Sequence, residues 1–365
     1  MIKTGIIGAG MISPSGIEGF QKSGIAEVLA IADKDEAHAQ ERAQEYGIPR
    51  VYGSAEELLA DKDIEVVYVA LPNKFHVPVS LAALEVGKHV ICEKPMAMDL
   101  AEGRKLVEAL QKYRSNGRDL KFMIGQNQRF NADSQKIKYL AEQGYFGELY
   151  HAKAFWRRRC GVPKKGTWFG SRELAGGGCI LDIGVHMLDL ALFIMNNFDA
   201  ESVSGASYSK LAHRGIGFGG WGMGEDRNIP FDVDDLSCAL IKLKGGATVA
   251  LDVSWASHSE HDDFHNVDFY GSEAGAQCYP AKVFTFDKLL CSNVDVELKS
   301  GDTAESAFAG LPIRYPDCDR FAHFVRAVRN EEELCVKLEE SLEVQRILDA
   351  IRESARTGRE VRLDT

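Results

Sequence analysis

Lys94, Asp182 and His186 are the residues whose types and surroundings best suit chemistry at a hydroxyl-bearing carbon. Taking hydride from such a carbon requires the hydroxyl proton to leave, and an imidazole, with an ordinary pKa of about 6.5, is suited to accept it. His186 is the first choice for that base. If the segment after Gly176-Gly177-Gly178 is an α-helix, Asp182 stands one turn before His186 on the same face, where a carboxylate can orient the ring. The Lys94 ammonium, within reach of the same oxygen, would stabilise the developing alkoxide. Each residue also has a plain structural reading: Lys94 as a surface lysine before turn-forming Pro95, Asp182 as a carboxylate at a helix start, His186 as a packed histidine. Asp189 either steadies the ring, touches substrate or serves as a helix carboxylate.

The elements that must carry these groups fall into two sets. Short β-branched runs near 4–8, 28–33, 66–71, 89–93 and 121–126 alternate with helical periodicity near 12–22, 36–46, 54–60, 77–85 and 100–112. That alternation predicts an α/β, doubly wound parallel sheet, since parallel neighbours need helical crossovers. After a helix near 132–143 the pattern changes to strands near 148–158, 202–209, 234–242, 248–257, 266–270 and 282–286, with hairpin turns at 244–247 and 271–275. This half is expected to be α+β with a large, mainly antiparallel sheet. A helix follows the glycines to about residue 196, and closing helices near 317–329 and 338–356 are expected to pack back on the first domain. The domains are placed at 1–126 and 127–365.

Gly8-Ala9-Gly10-Met11-Ile12-Ser13 follows the first strand and opens a helix. There glycines permit a tight turn and close approach of backbone N–H groups to a pyrophosphate. Ser13 departs from the G-x-G-x-x-G pattern. Asp33 ends the second strand, where a carboxylate can bind the adenosine ribose and repel a 2′-phosphate, so NAD is favoured; Lys34 beside it leaves NADP open.

Gly87-Lys88-His89-Val90 leads into Glu93-Lys94-Pro95, with Leu71-Pro72-Asn73 and His76 upstream and Gly125-Gln126-Asn127-Gln128-Arg129-Phe130 downstream. With the later run from Gly176 through Asp182 and His186 to Asp189, this resembles the Gfo/Idh/MocA oxidoreductases over nearly the whole chain. The resemblance implies an NAD-dependent enzyme acting on a carbohydrate or cyclitol, with Lys94, Asp182 and His186 as its catalytic group. It implies that the Leu71–Asn73 loop and the strand ending at Glu93-Lys94 hold ribose and nicotinamide. His76 is assigned to the cofactor as well. Association of two or four copies through the second sheet is a further implication.

Trp156-Arg157-Arg158-Arg159 and Trp168-Phe169 offer flat apolar faces and fixed donors for a sugar; Arg157 and Trp168 are singled out as substrate residues. His258, His261 and His265 have zinc-like gaps but fall at a turn between strands, so no metal is expected. The stretch from Gly215 to Gly224, with six glycines and Trp221, reads as a mobile loop. C3 oxidation of glucosides is one reaction such a cleft could run. The competing readings are a glycosidase using transient NAD-dependent oxidation and a non-catalytic sugar or NAD sensor.

Composition sets outer limits. A net charge of −11 opposes binding to nucleic acid. No run of about 20 consecutive apolar residues suggests a membrane span, and the start lacks a signal-peptide pattern, so a cytoplasmic location is expected. The eight cysteines form no C-x-x-C pair and read as reduced thiols.

Overall fold

The computed structural model describes residues 1–224, 226, 228–260, 262–298, 311, 313–315 and 319–363. Six strands, β1 (Ile2–Ile7), β2 (Ala26–Ala32), β3 (Arg50–Tyr52), β4 (Val66–Val69), β5 (His89–Cys92) and β6 (Phe122–Ile124), pair in the order β3-β2-β1-β4-β5-β6. Every pair is parallel. All four residues of β4 are buried, as a strand covered by helices on both faces requires. The helices Ser13–Lys22, Glu36–Tyr46, Ala55–Ala60, His76–Glu85 and Leu100–Ser115 lie where the periodicity predicted, to within a few residues. β3 was not foreseen; three half-buried residues carry too short a pattern to read.

The second sheet has nine strands: β7 (Leu149–Arg158), β8 (Ala200–Tyr208), β9 (Leu236–Leu243), β10 (Thr248–Ser254), β11 (Asp263–Gly271), β12 (Gly275–Gln277), β13 (Lys282–Asp287), β14 (Ser292–Glu297) and β15 (Val361–Arg362). Their order is β14-β13-β12-β11-β7-β10-β9-β8-β15. Among the described residues only the central β7–β10 pair of strands is parallel, which makes the sheet mixed but mostly antiparallel. The predicted turn between β9 and β10 is built on Gly245 and Gly246, both at positive φ (90° and 94°).

One face of this sheet is covered by helices. Ile241, Leu243, Val249, Leu251 and Val253 share a core with Leu188 and Leu192 of helix Val185–Met195 and with Ile347, Leu348 and Ile351 of helix Leu338–Thr357. The opposite face presents Leu240, Phe264 and Phe286 to solvent. Helix Arg320–Val328 packs on the first core through Phe321, Phe324 and Val325; the predicted start of that helix, 317–318, lies outside the described residues. Helix Leu338–Thr357 is shared between the halves: Leu338 and Leu342 pack against the first core, as expected, while the rest of its apolar stripe belongs to the second. It also ties the halves together: Leu100 N–H donates to Asp349 Oδ2 (2.7 Å) and Arg352 Nη1 to the Met98 carbonyl (2.8 Å). Arg172–Met195 is long and apolar enough to cross a membrane, but 83% of its apolar window is buried inside the protein, where it forms the core beneath the second sheet.

Candidate active site

The strand end that carries Lys94 is held from three directions. Glu93, which follows β5, is buried, and its Oε1 accepts from Tyr68 Oη (2.6 Å) and Arg320 Nη2 (2.6 Å). Arg320 Nη1 also donates to the Gly125 carbonyl (2.5 Å), so one guanidinium from the closing helix fixes the ends of β5 and β6. Burial alone would raise the Glu93 carboxyl, but the Arg320 charge and the Tyr68 hydrogen bond outweigh it and hold it below the ordinary range. Glu93 is thus engaged inside the protein. The Lys94–Pro95 peptide is cis. From this base the Lys94 ammonium reaches Asp182, donating to its Oδ1 (2.9 Å) and its backbone carbonyl (2.8 Å).

Asp182 lies on a segment whose start is fixed by Asp234. Gly178 N–H donates to Asp234 Oδ1 (2.7 Å), and Ile180 N–H to Oδ2 (3.0 Å), placing a carboxylate at the positive end of the helix. A Cβ on Gly178 would stand 1.9 Å from the Asp234 carbonyl oxygen, which explains the third glycine of the run. Ile180–Gly184 is a π-helical turn, and α-helix resumes at Val185. The expected orienting of His186 by Asp182 is corrected, because both Asp182 oxygens are bonded elsewhere and His186 Nδ1 has no hydrogen-bond partner. The Asp182 carboxylate instead faces Lys94 through Oδ1 and the Trp255 indole N–H through Oδ2 (2.9 Å). Burial would raise this carboxyl, but the Lys94 charge and the hydrogen bonds from Lys94 and Trp255 hold it below its ordinary value.

His186 is 7% exposed, and its Nδ1 has no hydrogen-bond partner. Burial drives its pKa well below the ordinary imidazole value, and the positive charges of Lys94, Arg320 and Arg158 add to the effect. The ring is neutral at neutral pH, the form that can accept a proton. Asp189 does not assist it: the carboxylate is fully buried in a bidentate pair with Arg129 (2.7 and 2.8 Å), a structural role.

Beside His186 stands a wall from β7 and β11. Trp156 lies 6.1 Å from the His186 ring and 4.6 Å from the His265 ring, between centroids. Asp263 accepts from Trp156 Nε1 (2.7 Å) and Arg158 Nε (3.2 Å), and the Arg158 guanidinium covers the Trp156 ring at 4.7 Å. Arg157, the arginine favoured from sequence, is corrected: strand alternation sends it to the outer face, where it pairs with Asp252 (2.6 Å). Trp156, Arg158 and His265 instead line the inner face, with Trp156 beside His186. Trp168 stacks on Phe169 (3.8 Å), and Phe169 meets Trp221 edge-on (4.8 Å). The glycine-rich stretch is pinned here, with Trp221 Nε1 donating to the Gly161 carbonyl (2.8 Å) and Gly219 N–H to Val162 (2.8 Å). His258 is exposed, His265 faces Trp156 and His261 lies outside the described residues. Among the described residues no group of three His, Cys, Asp or Glu could hold a metal, and the described cysteines are free thiols; Cys318 lies outside them.

The nucleotide end is formed at the tips of β1, β2 and β4. Gly8 has φ of +107°, and a Cβ there would strike the Ala70 carbonyl at 2.4 Å. A Cβ on Gly10 would meet nothing within 4 Å, so the turn has an open side for a ligand. Met11 and Ile12 are 52% and 42% exposed beside it, large apolar side chains open to solvent. Asp33 accepts from Ala9 N–H (2.7 Å) and Asp35 N–H (2.9 Å), which fixes its carboxylate at the turn. Leu71 lies close to Gly8. Asn73 Nδ2 donates to the Ala175 carbonyl (2.8 Å), linking this loop to the glycine run. His76 is buried between the Leu71 and Pro95 carbonyls (2.8 Å each), so its ring braces the two loops that flank Lys94. These features fit a dinucleotide: a cradle free of side chains, exposed apolar cover and a carboxylate fixed just after β2.

The comparisons with known proteins agree with this geometry. Residues 2–116 match the model of an oxidoreductase family with an NAD-binding Rossmann fold, and residues 134–277 match the GFO/IDH/MocA C-terminal domain. D-glucoside 3-dehydrogenase of Escherichia coli (strain K12) is 30% identical over 99% of this chain and 97% of its own. The chain belongs to the Gfo/Idh/MocA oxidoreductase family. Another relative, 1,5-anhydro-D-fructose reductase of Ensifer adhaerens, is 32% identical over 59% of this chain and 63% of its own. Among solved structures, levoglucosan dehydrogenase in complex with NADH and levoglucosan superposes with a TM-score of 0.83 over 100% of both chains at 21% identity, a likeness of fold. Of the Gfo/Idh/MocA elements read from sequence, Lys94, Asp182 and His186 come together; Trp255 and Asp234 were missed, since only tertiary contact joins them to the site, while Trp156, Arg158 and His265 were named in the sequence without being singled out.

Proposed function

We propose that the chain oxidises a ring hydroxyl of a sugar or glycoside with NAD, and that C3 of a glucoside is the preferred carbon. The observation that carries this reading is the convergence of a neutral, enclosed His186 with the Lys94–Asp182 ion pair. The likeness to D-glucoside 3-dehydrogenase supports the choice of substrate. NAD, when bound, supplies the hydride acceptor; Gly8, Gly10, Met11, Ile12, Asp33, Leu71 and Asn73 are the residues assigned to hold it. His186 takes the hydroxyl proton as the carbon–hydrogen bond electron pair leaves, so the substrate becomes a ketone and the imidazole an imidazolium. Lys94 stabilises the alkoxide as it forms, and Asp182 keeps the ammonium in place. Trp156, Arg158, His265 and Trp168 are assigned to the sugar, the rings for its apolar faces and the guanidinium for its hydroxyls.

The same reading places the domain division at 126/127, the protein in the cytoplasm and a dimer or tetramer at the open face of the second sheet. Exposed Leu240, Phe264 and Phe286 support the last of these. The test is a panel of glucosides, hexoses and inositols incubated with NAD and purified protein, read by NADH absorbance. Stoichiometric NADH with glucosides is expected, with turnover lost and NAD binding kept in Lys94→Ala. Cleaved sugar without net NADH, or a folded Lys94→Ala protein that turns over normally, would overturn the proposal.

A further inference from the structure

The Asp182 carboxylate has two oxygens and two donors that are not alike. Oδ1 meets the Lys94 ammonium, which can swing; Oδ2 meets the Trp255 indole N–H at 2.9 Å, which cannot. Trp255 is completely buried just after β10. Its own backbone is fixed on both sides, with its N–H donating to the Asp235 carbonyl (2.8 Å) and its carbonyl accepting from Gly161 N–H (2.7 Å). Its indole packs edge-on against Phe231 and Trp221, each at 6.4 Å between ring centroids. An indole nitrogen only donates, so it aligns the carboxylate plane and leaves the other oxygen for the lysine.

We propose that Trp255 is a positioning residue for hydride transfer: by holding Asp182 Oδ2 it fixes Oδ1, and through it the Lys94 ammonium, at the reacting oxygen. The inference rests on the proposed oxidation of a sugar hydroxyl. It also gives the glycine-rich stretch a task, since Trp221 presses on the Trp255 ring and on Phe169, so that stretch supports the lysine from behind.

A double-mutant cycle separates positioning from plain structural support. Trp255→Phe keeps the ring and removes the donor. It should lower kcat by about 10- to 100-fold, the scale on which outer partners of metal-ligating groups act, while KM and the NAD dissociation constant stay within about threefold. Asp182→Asn has one oxygen for two donors, so an amide N–H must face either the ammonium or the indole. Adding Trp255→Phe to Asp182→Asn removes that conflict and should leave kcat unchanged or raise it. An equal loss in both backgrounds, or wild-type kcat in Trp255→Phe, overturns the proposal. If Trp255→Phe does not fold, nitrogen-15-labelled tryptophan carries the test: the Trp255 indole signal must move in folded Asp182→Asn, and an unmoved signal overturns it. Failure of the wild type to form NADH with any sugar would instead refute the proposed function.

Discussion

Replacing Gly178 by Ala tests whether the start of the helix that carries Asp182 and His186 is set by Asp234. The added Cβ would lie 1.9 Å from the Asp234 carbonyl oxygen, where real Cβ contacts essentially never fall below 3.0 Å, so the two segments must part by about 1 Å. The obstacle is backbone, which cannot swing aside. Parting them loosens the bonds from Gly178 N–H and Ile180 N–H to the Asp234 carboxylate (2.7 and 3.0 Å). Hydrogen bonds to a charged group are worth about 1.5–3 kcal/mol each, so losing both costs about 3–6 kcal/mol, a large share of the roughly 5–15 kcal/mol that holds a domain folded. A shift of about 1 Å at a reacting group can also cost about 100-fold in rate. Gly177→Ala is the control: its Cβ would meet the Leu181 side chain at 3.1 and 3.2 Å, which can give, and Asp234 Oδ1 at an ordinary contact distance of 3.6 Å, for about 1 kcal/mol. Urea unfolding and kcat are measured for both. Equal stability and equal turnover in the two variants would refute the role given to Asp234.

His186→Ala should lower oxidation by about 10²–10⁴-fold, leave NAD affinity nearly intact and abolish the acid limb of the pH–rate profile; a limb unchanged in the folded variant points to another base. In the wild type that limb should lie below the ordinary imidazole value of about 6.5, because burial and nearby cations disfavour imidazolium. Arg158→Gln removes one of those cations, so the limb should move to higher pH; no movement in a folded variant would show that Arg158 does not act on His186. Asp33→Ala should weaken NAD binding and relax discrimination against NADP, and a wild type already preferring NADP would contradict the reading of Asp33. His76, His186 and His323 are all held below their ordinary value, so below about pH 6.5 the unfolded chain binds protons that the folded one refuses. Stability to urea should therefore fall as pH drops through this range, and a flat profile would remove that linkage.

Much of the site was legible because its groups sit in short local patterns. Glu93-Lys94-Pro95 ends a strand, and the glycine run introduces Asp182 and His186, so both segments could be read without knowing how the chain folds back. The relation between Asp182 and His186 was not legible. Both Asp182 oxygens are taken by Lys94 and Trp255, partners 88 and 73 residues away, which no local spacing rule reveals. The choice of Arg157 over Arg158 failed for a related reason: strand parity decides which face an arginine occupies, and parity follows from pairing with β10 and β11, partners about 100 residues away. Trp255 and Asp234 carry no motif at all. They matter through contacts 73 and 56 residues from their partners, which only the folded chain supplies. β3, β12 and β15 were missed because strands of two or three residues take their conformation from a neighbour rather than from their own pattern, and β14 was missed because its six residues are mostly polar and exposed.

The most direct test of the account follows the hydride itself. A methyl glucoside carrying deuterium at C3 is incubated with NAD and the protein, and the reduced cofactor and sugar are analysed by mass spectrometry. Deuterated NADH formed one for one with a ketosugar is the expected result. Unlabelled NADH would place the oxidation at another carbon, and a sugar cleaved or unchanged with no NADH would contradict the dehydrogenase altogether.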